Sequence, residues 1–322
     1  MKGFESCNVS WCCSICRVNY IRLEVFHSIH PANSVTYIQQ YLPDPNFVLI
    51  ARTTYISLLS LDGVESMLSG SWGSGYNEGK GSNARYQWIA EIVPMNHELM
   101  LLSDKTNQVL RVLDLKTNKT SRYAGIPRIS GQRDTIRLNA MLASPHGICK
   151  SLLEENTYYI SNSQSHKVRR LNSTHVGTAY DGYPLVSPRG MAIDQVNPVN
   201  LYVVVSHGLV KVNLLTGHGM QLTSAATAGF KDGPFRTAMF SSPTSILQIS
   251  TESFIVTDGG NNRLRLLDNE NSTISSICTG KMLILLSCPQ LVFAQVIFSL
   301  LCKRCAQLTI LVIFWSQCIY FL

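Results

Sequence analysis

The sequence predicts an all-β chain, a β-propeller of four-stranded antiparallel blades, and three observations predict it. A short element recurs as Ser144-Pro145-His146-Gly147-Ile148, Ser187-Pro188-Arg189-Gly190-Met191 and, without its glycine, Ser242-Pro243-Thr244-Ser245-Ile246. Each copy is followed by an apolar strand, a polar turn and a second strand. The residues that close these hairpins, Asp114, Asn172, Asn213 and Asp268, stand 58, 41 and 55 positions apart, which is the spacing of propeller blades.

The elements follow in order. Residues 1–34 carry four clustered cysteines and match no repeat. Residues 47–62 read as a hairpin, Phe47-Val48-Leu49-Ile50 followed by Ile56-Ser57-Leu58-Leu59, and so as part of a blade that lacks its inner strand. The next hairpins are 99–104 with 109–114, 158–162 with 167–172, 201–206 with 210–213, and 254–258 with 263–268. The inner strands are short apolar runs because both of their faces are buried. The later strands alternate, which places one face toward solvent and puts Arg169 and Arg265 on that face. Asp104, Asn162, Ser206 and Asp258 end successive strands, so they are expected at matching places, capping turns through side-chain hydrogen bonds. Four strands cannot bury their own faces, whereas radial stacking buries them. The count is four clear blades and a partial fifth, over 35–280.

Each unit opens on a Gly- or Asp-rich turn. Gly229-Phe230-Lys231-Asp232-Gly233, followed by Ala238-Met239-Phe240, Pro243, Thr257-Asp258 and Asn262-Arg263-Leu264-Arg265, resembles an NHL repeat. The three preceding units are similar but more degenerate, with Ala140-Met141-Leu142 and Ala84-Arg85-Tyr86 as counterparts of Ala238-Met239-Phe240. The resemblance covers about residues 72–280 and implies a propeller, usually of about six blades.

Composition sets the outer limits. Of 322 residues, 45% are hydrophobic and 15% charged, against about 25% charged in an average domain. That leaves ample material for a core and excludes wholesale disorder. Net charge is +7, too weak a bias to announce nucleic acid. Only Cys149 and Cys278 of ten cysteines lie outside the two ends, so the central region is no disulfide scaffold. The pairs Cys13/Cys16 and Cys302/Cys305 have zinc-ligand spacing but sit at opposite termini. No secretory leader is evident at the start, because Glu5 follows Lys2 without an apolar stretch.

Residues 281–322 contain only Lys281, Lys303 and Arg304 as charges. Met282–Leu301 is 20 residues long and Ala306–Leu322 is 17, both uncharged. Such lengths suit a helical tail that crosses a bilayer. The competing reading is a translated intron or an aberrant splice end that leaves the repeat frame near Gly280.

Function is less legible than fold. Propellers bind where loops converge on the channel mouth, and the Pro-x-Gly positions place His146, Arg189 and Thr244 at equivalent sites on that rim. Lys167, Arg169, Arg170, Arg263 and Arg265 form a candidate basic face. The resemblance makes RNA binding the alternative, since some NHL propellers bind RNA through such a face, yet no aromatic platform stands beside these clusters. A propeller enzyme with zinc or calcium in its channel is the third reading. No nucleophile elbow, phosphate loop or HExxH motif appears. The sequence therefore assigns no catalytic residue, metal or cofactor, and points to a non-catalytic scaffold with a protein or peptide partner.

Overall fold

The computed structural model describes residues 35–279, apart from 42, 45, 61–63 and 225, with side chains inside 36–277 except that of residue 40. It also describes the backbone of strands near both ends. Strand β1 is Tyr20–Val25. Blade 1 comprises β2 (Val35–Gln40), β3 (Phe47–Arg52), β4 (Tyr55–Ser60) and β5 (Glu65–Gly70). Blade 2 comprises β6 (Gly79–Lys80), β7 (Ile89–Pro94), β8 (Leu99–Asp104), β9 (Val109–Asp114) and β10 (Lys119–Ala124). Blade 3 has β11 (Thr135–Ile136), β12 (Pro145–Lys150), β13 (Tyr158–Asn162), β14 (Lys167–Leu171) and β15 (His175–Tyr180). Blade 4 has β16 (Met191–Ile193), β17 (Asn200–Val205), β18 (Gly208–Asn213) and β19 (His218–Gln221). Blade 5 has β20 (Gly233–Pro234), β21 (Pro243–Gln248), β22 (Ser253–Asp258), β23 (Arg263–Asp268) and β24 (Thr273–Thr279). Each blade is one antiparallel sheet in simple up-and-down order, and the two-residue strands β6, β11 and β20 add to the outer edges of their blades.

The chain is thus an all-β propeller of five blades over these residues. Blade 1 is not missing its inner strand. β2 supplies it from the residues just before the hairpin, pairing Ile38 with Ile50. Val35-Thr36-Tyr37-Ile38 lacks the Ser-Pro-x-Gly signature, which is why repeat matching passed over it.

The tail differs from the expected helix. Its described parts are strands β25 (Met282–Leu285), β26 (Gln295–Leu301) and β27 (Leu308–Phe314). They form a four-stranded antiparallel sheet with β1, in the order β1-β27-β26-β25. Run length alone suggested a helix. β-branched residues such as Val296, Ile297, Ile310, Val312 and Ile313 suit a strand better. Among the described residues no helix is long and apolar enough to cross a membrane. The terminal CxxC pairs lie outside the described residues.

The core lies between blades. Alternate residues of one strand serve opposite neighbours, as the two-residue period requires. In β8, Met100 and Leu102 pack toward blade 1 while Leu101 packs toward blade 3. In β17, Leu201, Val203 and Val205 face blade 3 while Tyr202 and Val204 face blade 5. The recurring Ala-x-aromatic/Leu element plugs each seam. Ala84/Tyr86, Ala140/Leu142 and Ala238/Phe240 are all fully buried, each pair following a single 3-10 turn. Cys149 is buried in the seam between blades 3 and 4.

A second device closes the outer loop of three blades. The guanidinium of Arg265 is fully buried and donates to the carbonyls of Met239 (3.0 Å) and Lys231 (2.8 Å) and to Asp258 (2.7 Å). Arg111 does the same with the carbonyls of Arg85 and Asn77 and with Asp104. Arg169 repeats it with Met141, Arg133 and Asp134, where Asn162 replaces the strand-end aspartate. Asn107 and Asn261 add bonds from the turn to the carbonyls of Gly75 and Gly229. Asp258 Oδ1 accepts from the Ser241 amide, and Asp104 Oδ1 from Gln87 and Trp88. Asp104, Asn162 and Asp258 therefore share one register, as expected, but only the two aspartates make the side-chain bonds, since both polar atoms of the Asn162 side chain are buried without a partner. Ser206 does not share it, because strand pairing puts Val205 at that register. Blade 4 has lost both partners of the pair, with Val210 standing where Arg111, Arg169 and Arg265 stand elsewhere.

Candidate binding site at the channel mouth

Successive strands are antiparallel, so two kinds of connection emerge on one face of the ring. These are the loop entering each inner strand and the turn between second and third strands. The Ser-Pro-x-Gly elements lie on this face, at the channel mouth.

Strand pairing sets the register there. Pro145 pairs with Asn162 and Pro243 with Asp258, while Ile89 pairs with Asp104. His146, Arg189 and Thr244 accordingly occupy one register position in blades 3, 4 and 5, with Ala90 and Thr36 as counterparts in blades 2 and 1. Their backbones stitch neighbouring blades together. Ser103 Oγ of blade 2 donates to the His146 carbonyl at 2.7 Å. Ser161 Oγ of blade 3 donates to the Arg189 carbonyl at 2.6 Å and accepts from the Gly147 amide at 2.7 Å. The Gly190 amide of blade 4 donates to the Thr244 carbonyl at 3.0 Å. The glycines permit this approach. A Cβ on Gly147 would lie 2.2 Å from the Arg189 carbonyl oxygen, and one on Gly190 would lie 2.6 Å from Ser245 Cα. The proline also keeps the preceding residue out of the right-handed helical region, and Ser144, Ser187 and Ser242 all take positive φ.

With the backbones committed to the seams, the side chains are left for the channel. The His146 imidazole has a buried Nδ1 without a hydrogen-bond partner. Burial, then the charges of Lys105 and Arg189, push this imidazole down to about 3, so it is neutral at pH 7. Lys105 lies in the blade 2 turn with its ammonium 5.4 Å from the Trp88 ring centre. Burial and the neighbouring Arg189 lower its affinity for a proton. Arg189 makes one long bond, 3.4 Å, to the Pro243 carbonyl. Thr244 is occupied by a hydroxyl–hydroxyl bond to Thr257 at 2.9 Å. The three rim residues read from the sequence are therefore at matching places, and Lys105 is the neighbour that sequence reading missed. It was visible as the exception at its repeat position, where Thr53, Ser163, Ser206 and Gly259 stand in the other blades.

The basic face does not assemble as expected. Arg169 and Arg265 are fully buried staples, because both faces of a propeller blade are covered by neighbours and alternation does not imply solvent. Lys167 pairs with Asp181 at 3.3 Å and Arg170 with Glu154. Arg263 lies 4.3 Å from the Phe230 ring centre. Among the described residues, no three His, Cys, Asp or Glu side chains converge as a metal site.

The mouth face also carries exposed aromatic residues. Trp72 is 65% exposed, Trp88 45% and Tyr183 84%, with Val186 at 48%. On the opposite face the large exposed groups are aliphatic, among them Leu153 and Leu215. Asn118, Asn172 and Asn271, each the first residue of an Asn-x-Thr sequence, lie in third-to-fourth-strand turns on that opposite face.

Comparison with known proteins fixes the class. The chain is a β-propeller, similar to several solved propellers at low identity. An auxiliary nutrient binding protein from Bacteroides thetaiotaomicron superposes with a TM-score of 0.62 at 8% identity, over 92% of this chain and 76% of that one. Virginiamycin B lyase from Staphylococcus aureus, solved with quinupristin, gives 0.55 at 13% over 91% and 99%. A chain of the nidogen/laminin complex gives 0.53 at 13% over 77% and 80%. No family model matches the sequence, and no curated relative matches it.

Proposed function

We propose that this chain is an NHL-type propeller that acts as a non-catalytic scaffold for protein–protein interaction, binding its partner on the mouth face. The observation that carries this is the placement of Trp72 and Tyr183, largely exposed, and the half-exposed Trp88 on the loops that enter inner strands. Aromatic residues are enriched at interface centres and dominate their energetics. The structural neighbours fit the reading without specifying it, since a nutrient binding protein and the nidogen/laminin complex are among them.

The test compares two double variants of the immobilised protein in capture from a cell extract. Trp88→Ser/Tyr183→Ser changes the mouth face, and Leu153→Ser/Leu215→Ser changes the opposite one. The expected result is a reproducible set of captured proteins that the first variant loses and the second retains. Loss with the second variant alone would contradict the proposal.

A further inference from the structure

The channel mouth brings together Lys105, His146 and Arg189 from three successive blades. No ion pair holds either cation among the described residues. The charges that act most on His146 are both positive, and the buried Glu91 carboxylate nearby accepts the Ile148 amide at 3.1 Å. Elsewhere in this chain the internal cations are matched: Arg111 by Asp104, Arg169 by Asp134, Arg265 by Asp258 and Asp232. An unmatched, half-desolvated pair of cations beside a buried, unpartnered imidazole nitrogen is costly to hold apart from water. A structural role explains little of it, because the stitching runs through the His146 and Arg189 carbonyls, and the side chains add only the long 3.4 Å bond from Arg189 to the Pro243 carbonyl. The repeat also does not demand it, since the other blades carry Thr, Ser or Gly at the Lys105 position and Thr or Ala at the His146 and Arg189 position.

We infer that Lys105, His146 and Arg189 form a carboxylate-binding site at the channel mouth that receives an acidic side chain of a peptide or protein partner. The inference rests on the proposed scaffold function and names the chemistry of its partner. Arg189 offers the planar fork that pairs with a carboxylate, and Lys105 a second charge. The neutral imidazole offers a ring nitrogen to the same group. Trp88, stacked under Lys105, is the adjoining exposed aromatic surface, so an acidic residue next to an apolar one is the favoured ligand. The net charge of +7 attracts such a partner over longer range.

Selection of a random dodecamer phage library on the purified full chain tests this, followed by fluorescence anisotropy with synthesised peptides and with poly(U). The expected result is enrichment of Asp or Glu beside an apolar residue. Lys105→Met and Arg189→Met should each weaken the selected peptides roughly tenfold or more, as loss of a charged hydrogen bond does, with the melting temperature unchanged. Binding should also weaken as salt rises from 50 to 300 mM. Selected peptides without acidic enrichment, or acidic peptides indifferent to both substitutions, would overturn the inference and leave the scaffold reading intact. Failure to select any peptide would count against both. Tight poly(U) binding that both substitutions abolish, with acidic peptides bound weakly or not at all, would also overturn it by making the mouth a phosphate site.

Discussion

Replacing Arg265 by methionine is expected to destabilise the protein by about 3–5 kcal/mol, because it leaves Asp258 as a buried charge without its partner. Neither side chain of the pair is exposed, and their atoms lie 2.7 Å apart. The same guanidinium satisfies the carbonyls of Met239 and Lys231, so the loop from Gly229 to Ser241 loses two of its anchors as well and keeps those to Asn261 and Asp258. Urea unfolding followed by circular dichroism measures the cost. Blade 4 supplies a natural control inside the same molecule. It holds Val205 and Val210 at the register of Asp258 and Arg265, and its seams are packed by aliphatic side chains. The pair Asp258→Val/Arg265→Val should therefore cost less than the two single changes together, by roughly 1–3 kcal/mol of coupling. A single-variant cost below about 1 kcal/mol would show that the staple is dispensable.

The next largest effect is expected at Gly147. An alanine there places its Cβ 2.2 Å from the Arg189 carbonyl oxygen, a backbone atom of the next blade that no side-chain rotation can move. The seam must open, at about 3 kcal/mol, the upper end for overpacking. Gly190→Ala meets Ser245 Cα at 2.6 Å and the Thr244 carbonyl oxygen at 2.7 Å, and should behave alike. Gly177→Ala is the control. It lies in β15 with nothing within 4 Å of the added carbon and should change stability by less than about 0.5 kcal/mol. Equal effects at Gly147 and Gly177 would contradict the stitching role assigned to the recurring motif.

Most of the fold was legible because the seams impose the same demands on each blade. Ala84, Ala140 and Ala238 recur since one small residue fits where the loop turns into the seam. Gly147 and Gly190 recur since backbone meets backbone there. Blade 1 lacked those marks at residues 35–38, so its inner strand went unseen until the structure paired it with β3. The arginines misled for a physical reason. Alternating Arg and Leu looks like one wet and one dry face, but a blade has two dry faces, and Arg111, Arg169 and Arg265 use their length to reach carbonyls inside. The tail's uncharged runs satisfied a length criterion for helices while their β-branched residues served strands. At the site, sequence reading located His146, Arg189 and Thr244 by register. It missed Lys105, whose sole mark in the sequence is that it breaks the small-residue pattern at its repeat position, and whose place beside the inner strands of blades 3 and 4 comes from the fold.

We propose that this propeller binds at the channel mouth, and not on the opposite face or an outer edge. Hydrogen–deuterium exchange with and without a bound acidic peptide measures that directly. Protection is expected in the turn at 103–107 and in the elements 144–148 and 187–190, with no change in the opposite turns 151–157 and 194–199. Protection confined to those opposite turns, or to the outer strands β10, β15 and β24, would place binding elsewhere and overturn the proposed mouth site.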